Sequence, residues 1–208
     1  MDNRLAFVGA LALAWISTAA IAAPKNHPTQ PIDFKGLVVG APTTPQQVEE
    51  ALAIPCGVSF GNAPAKCTDL DKMIQEKQKV ACGAGGNGMQ ICNGTTTIAG
   101  AHAEVNLVIG TDGTIQRIHL TFGDIGYDDV HQALLAKFGA PQKVSHPTLQ
   151  NGFGATFRQE ESFWTGAFGA QMLLSQYAAD VDHSSLYIST QADRDLMSGV
   201  NQAPSNDL

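Results

Sequence analysis

The 208 residues carry 19 acidic against 12 basic side chains, a formal net charge of −7, and 44% of them are hydrophobic. That balance excludes a phosphate-neutralising nucleic-acid surface and a polybasic patch for anionic lipid, both of which need clustered Lys and Arg. It also excludes a disordered chain and suits a globular protein with many turns, rich in Gly, Ala, Thr and Gln.

The chain opens with one basic side chain, Arg4, then an apolar run from Leu5 to Ile16, then Ala20-Ile21-Ala22. That order matches the basic, apolar and small-x-small regions of a secretory signal. Residues 1–22 are therefore expected to be removed, leaving a mature chain that begins at Ala23 in a periplasmic or secreted location. Cleavage one residue later would place Pro24 just beyond the cut. Gly9, Ser17, Thr18 and many alanines dilute the apolar run. No later segment approaches spanning length, so the mature chain is expected to hold no integral membrane segment.

Residues 23–33, with Pro24, Pro28 and Pro31, read as an extended leader. Thr44 followed by Pro45 starts a helix whose Val48 and Leu52 form an apolar stripe. Thr68 with Asp71 resembles a capping pair for a second helix, from Asp69 to about Lys79. Around it lie the four cysteines, Cys56, Cys67, Cys82 and Cys92. An even number in an oxidising compartment reads as two disulfides. Three pairings are open, and short loops favour Cys56 with Cys67 and Cys82 with Cys92. Their spacing, with no histidine nearby, argues against zinc.

Beyond Lys79 the period changes from helical to alternating. Strands are expected over 91–99, 103–109 and 114–122, the last two joined by the hairpin signal Asp112-Gly113. A helix over 127–138 carries Val130, Leu134, Leu135 and Phe138 on one face and is ended by Gly139. Further strands are expected over 142–149, 154–164, 167–176 and 185–190, then a flexible tail over 193–208. The segment from Ile98 to Val108 echoes Trp164 to Leu174, with Gly100 opposite Gly166. The fold class is therefore α+β: tandem helix-then-antiparallel-sheet units forming one curved sheet with helices on one side. The first unit spans 34–125 and contains the cysteine-rich insertion; the second spans 126–192.

Several of these residues carry a family likeness. Phe34-Lys-Gly-Leu-Val-Val-Gly-Ala-Pro42 before a capped helix, the Asp-Gly hairpin, Lys137-Phe-Gly-Ala-Pro141 and the late Trp164-x-Gly166 resemble periplasmic proteins with the fold of the β-lactamase inhibitor protein. The SmpA/OmlA-type outer-membrane assembly lipoproteins belong to the same structural group, although this chain lacks their lipid-attachment cysteine. The resemblance implies a protein-binding module built on tandem units.

Motifs that would carry chemistry stand in the wrong context. Gly57-Val-Ser59-Phe-Gly61 matches a nucleophile elbow, but Asn62-Ala-Pro64 stands where the helix should begin. A secreted serine hydrolase using Ser59 is thus the alternative reading, alongside an envelope assembly or structural factor. Gly83-Ala-Gly85-Gly-Asn-Gly88 matches a dinucleotide fingerprint, yet it lies between two cysteines and leads into a strand. The six histidines show no ligand spacing, and Asp180-Val-Asp182 lacks a calcium-loop series. Glu160 and Glu161 would point to opposite faces of a strand. No cofactor, metal or catalytic residue is expected.

What remains is recognition. Strand parity turns Ile118, Leu120 and Phe122 toward the helices and sends Arg117, His119 and Thr121 outward. Taking Ala155 and Phe157 as inward sends Arg158 and Trp164 outward, and Leu186 with Ile188 inward does the same for Tyr187. Arg117, His119, Arg158, Trp164 and Tyr187 are thus the expected contact residues for a protein or cell-envelope component, being of the types that dominate binding hot spots. The expected function is an exported, non-enzymatic binding module that uses the open face of its sheet.

Overall fold

The computed structural model describes residues 30–54, 69, 73, 76, 79–150, 154–178 and 180–201. The expected signal segment, most of the leader, Cys56, Ser59 and Cys67 lie outside the described residues. Of the helix expected over 69–79, Asp69, Met73 and Glu76 are described and are helical.

Helix α1 (Pro45–Leu52) starts where its sequence says it should. The Gln47 N–H donates to Thr44 Oγ1 at 3.3 Å and the Thr44 N–H to Gln47 Oε1 at 2.9 Å, which satisfies two otherwise orphaned donors reciprocally. Val48 and Leu52, one turn apart, are fully buried. Helix α2 (Tyr127–Phe138) buries Tyr127, Val130 and Leu134 and stops at Gly139, whose φ of 78° suits only a residue without a Cβ. There the Gly139 N–H returns to the Leu135 carbonyl at 2.9 Å.

A short hairpin, β1 (Asp33–Phe34) with β2 (Leu37–Val38), precedes α1. The remaining strands are β3 (Ala81–Ala84), β4 (Gln90–Ile98), β5 (Ala101–Ile109), β6 (Ile115–Gly123), β7 (Lys143–Ser145), β8 (Thr148–Gln150), β9 (Thr156–Arg158), β10 (Glu161–Thr165), β11 (Gln171–Ser175) and β12 (His183–Ser189). Among the described residues they form an eight-stranded antiparallel sheet in the order β3-β4-β5-β6-β12-β11-β10-β7, with β8 and β9 as a separate ribbon. The protein is α+β, with one curved, unclosed sheet. Two meanders meet where β6 pairs β12, Ile118 opposite Ile188 and His119 opposite Tyr187.

That register sorts every side chain. One row runs Cys82, Cys92, Leu107, Ile118, Ile188, Met172, Trp164 across seven strands and, with Val48, Leu52, Val130 and Leu134 of the helices, forms the core. Cys82 and Cys92, paired on β3 and β4, are joined by a disulfide. The adjacent row, Asn93, Asn106, His119, Tyr187, Leu173, Phe163, lies on the other face.

Several expectations are corrected. Trp164 does not point outward: it is 2% exposed, and its Nε1–H donates to the Gly139 carbonyl at 2.9 Å. Parity failed because the strand expected over 154–164 is two strands. Gln159 and Glu160 break it, their N–H groups turning to the Pro147 carbonyl and to Gln176 Oε1. The strand expected over 142–149 is likewise split at Pro147, which has no N–H to give a ladder. Arg158 consequently sits exposed on the β8–β9 ribbon, off the eight-stranded sheet.

Residues 193–201 of the expected tail belong instead to helix α3 (Gln191–Asn201), begun by the Asp193 N–H donating to Thr190 Oγ1 at 3.2 Å, and residues 202–208 lie outside the described residues. It does not share a side with the other two helices, because its first turn meets Tyr187 and Arg117 on the opposite face of the sheet. Finally, Gly100 does not match Gly166. Gly100 (φ 86°) and Ala99 (φ 46°) make a two-residue turn, whereas Gly166 and Gly85 open the same longer turn, each N–H reaching the carbonyl four residues on.

Trp164→Ala is expected to lower stability in denaturant titration by about 3–5 kcal/mol, the cost of a large core cavity. Trp164→Phe, which forfeits mainly the bond to Gly139, should cost about 1–3 kcal/mol.

Candidate functional site

On the sheet face away from α1 and α2, β6 and β12 bring three of the expected residues together. His119 and Tyr187 stand directly opposite each other, their rings edge to face with centroids 5.6 Å apart. Arg117 is two residues before His119 on the same strand, so it shares that face. Arg158 and Trp164 are elsewhere, on the ribbon and in the core.

A residue outside the expected set ties the group together. Asp193, 5% exposed in the first turn of α3, accepts from the Tyr187 hydroxyl at 3.0 Å and lies 3.9 Å from Arg117 Nη1. Thr190 Oγ1, besides capping the helix, donates to Gln116 Oε1 at 2.6 Å. Arg194 holds the same end down, Nη1 donating to the Ser189 carbonyl at 2.8 Å and Nη2 to the Gly169 carbonyl at 2.9 Å. Among the described residues, buried Arg117 Nε has no hydrogen-bond partner. The signals for this helix are Thr190-x-x-Asp193, a capping spacing, and Ala192 and Leu196 one turn apart on an amphipathic segment.

Beside His119 the face sinks into a depression of about 430 Å³ lined by Asn93, Thr95, Glu104, Asn106, His119 and Thr121. Asn106 Nδ2 donates to Asn93 Oδ1 at 2.8 Å, bridging β4 and β5. The same parity argument, applied to β4 and β5, finds these residues from sequence. Glu161 also lies on this face, bonded to Ser145 and Gln159, while Glu160 accepts from Tyr127 on α2, so the adjacent carboxylates have different neighbours.

Burial first, and the Arg117 charge second, hold the His119 imidazole below its usual 6.5, which favours the neutral ring. Burial raises the Tyr187 phenol above 10.0, keeping it a neutral donor to Asp193. Among the described residues no cluster of three or more His, Cys, Asp or Glu side chains suits a metal ion, and no helix is long and apolar enough to cross a membrane.

No family model, curated protein or solved structure matches the chain.

The two histidines on β12 and β6 titrate in opposite directions. The exposed His183 is raised above 6.5 by its hydrogen bond to Asp180, and His119 is lowered. In a proton NMR titration His183 should titrate above pH 6.5 and His119 below it. His119 is depressed in the folded state, so its contribution to stability is complete above pH 6.5 and lost as the pH falls through its folded value. His119→Gln should flatten the acid limb of the stability profile, and an unchanged limb would refute the assignment.

Proposed function

We propose that the chain is an exported binding protein that recognises a protein of the cell envelope through the face centred on His119 and Tyr187. The observation that carries this reading is the row Asn93, Asn106, His119, Tyr187, Leu173, Phe163. It is continuous over six strands, roughly 24 Å at ordinary strand spacing. It mixes amide hydrogen-bonding groups with an aromatic centre, as binding patches do. His119 and Tyr187 are half-buried, so a partner that covers them desolvates two rings already fixed by each other.

Export is supported by the signal-like first 22 residues and by the Cys82–Cys92 disulfide, which persists in an oxidising compartment. The likeness to periplasmic proteins with the β-lactamase-inhibitor-protein fold agrees with a binding role. Tyr187 is the residue best placed as an anchor. Asp193 fixes its hydroxyl, so it loses little freedom on association.

The test is capture from envelope extract with immobilised protein, followed by affinity measurement on the protein recovered. His119→Ala and Tyr187→Ala are expected to weaken that complex by about 2 kcal/mol or more each. Arg158→Ala, on the ribbon, should leave it unchanged, and His119→Ala should unfold near the wild-type temperature. Capture insensitive to both face variants would refute the reading.

A further inference from the structure

On the other side of the sheet, between α2 and the core face, lies a cavity of about 210 Å³. Its floor is Val130, Leu134, Met172, Leu186 and Ile188, all buried, and its rim holds Asp33, Lys35 and Lys137. Interiors are close-packed, and voids larger than a water molecule are few. An aliphatic cavity of about 150 Å³ stays dry and accepts benzene, so this one has room for a short apolar group.

The rim separates two cations. Lys137 Nζ is matched by Asp33 Oδ2 at 2.7 Å. Among the described residues Lys35 Nζ donates to neutral hydroxyls, Thr96 Oγ1 at 2.8 Å and Thr97 Oγ1 at 3.4 Å. Lys35 also stands where the backbone does not favour it. With Gly36 it makes the two-residue turn between β1 and β2 at φ 50°, a left-handed position that Asn, Asp or Gly occupies at less cost. The strain places an ammonium group, tethered to Thr96, at the mouth of an apolar hole. Burial without a carboxylate lowers that ammonium below 10.5, a penalty an anionic ligand would relieve.

We propose that this cavity binds a small amphipathic carboxylate, its alkyl tail among Val130, Met172 and Ile188 and its head group on Lys35. The site lies across the sheet from the His119 face and does not depend on the partner proposed above.

The probe is sodium octanoate, with octan-1-ol as its neutral counterpart, followed by amide chemical shifts of the full oxidised protein. Octanoate should give saturable shifts at residues 130–138 and 186–188. Lys35→Gln, at a surface turn, should weaken octanoate about two- to fivefold, the range of a partly exposed charge pair, and leave octanol unaffected. Ala133→Trp, whose indole would occupy the rim, should abolish both. Absence of saturable octanoate shifts at millimolar concentration, or equal octanoate affinity in wild type and Lys35→Gln, would overturn the proposal.

Discussion

The pairing of β6 with β12 governs the rest of the molecule. Seven residue pairs, from His183 with Gly123 to Ser189 with Arg117, weld two meanders of four strands each into one sheet. Because side chains alternate with a period of two, this register fixes the faces of β6 and β12, and the neighbouring pairings carry the alternation outward, interrupted at the irregularity between Val108 and Ile109, both buried. Ile118 and Ile188 meet beneath the helices, and on either side of them Leu107 and Met172 continue the row to Cys92 and Trp164. A slip of one residue would bring His119 and Tyr187 into the core and expose the isoleucines. Fully burying one such isoleucine contributes about 1.5–3 kcal/mol, so the slipped register has no means of competing.

The opposite face is held by polar forces, and magnitudes say which. Leu196 and Met197 of α3 are largely exposed, so apolar burial contributes little to seating that helix. Asp193 does more: it accepts from Tyr187 and lies at a helix N-terminus, where the helix dipole favours negative charge. Hydrogen bonds to a charged group contribute roughly 1.5–3 kcal/mol each, whereas the 3.9 Å contact with Arg117 is too long to be a strong ion pair. The helix therefore fixes the Tyr187 hydroxyl while leaving the ring available, which is the preorganisation a recognition surface needs.

Where a strand is unbroken, the sequence was legible. Parity placed Arg117, His119 and Thr121 on one face of β6 and Tyr187 on the same face of β12, and the cap signals at Thr44, Pro45 and Gly139 bounded their helices. Trp164 was misplaced because parity was carried through Gln159 and Glu160, where the backbone leaves one pairing partner for another. Nothing in the alternation of apolar residues announces that exchange; the hint was Pro147, whose carbonyl receives the Gln159 N–H. The echo expected between Gly100 and Gly166 does not correspond to matching turns. Gly85 and Gly166 open like turns, with Asn87 and Phe168 both at φ 57°, while Gly100 closes a different one. Helix α3 was missed because its segment is polar in composition, although the Thr190-x-x-Asp193 cap and the one-turn spacing of Ala192 and Leu196 mark a helix.

The leader does more than enter the fold. Its last residues, Gln30 to Ile32, lie against the second meander: the Ala167 N–H donates to the Gln30 carbonyl at 3.0 Å, and Ile32 is buried. A Cβ on Gly166 would come within 2.6 Å of Ile32 and 2.8 Å of the Gln30 carbonyl, so that glycine is present because a backbone passes over it. Asp33 then reaches Lys137 of α2, and the same short segment turns at Lys35 to the rim of the apolar cavity. One stretch of chain thus spans the boundary expected between the units at 125 and 126. Its contacts tie residues on both sides of that boundary together, and Asp33 and Lys35 of the same segment stand at the cavity rim.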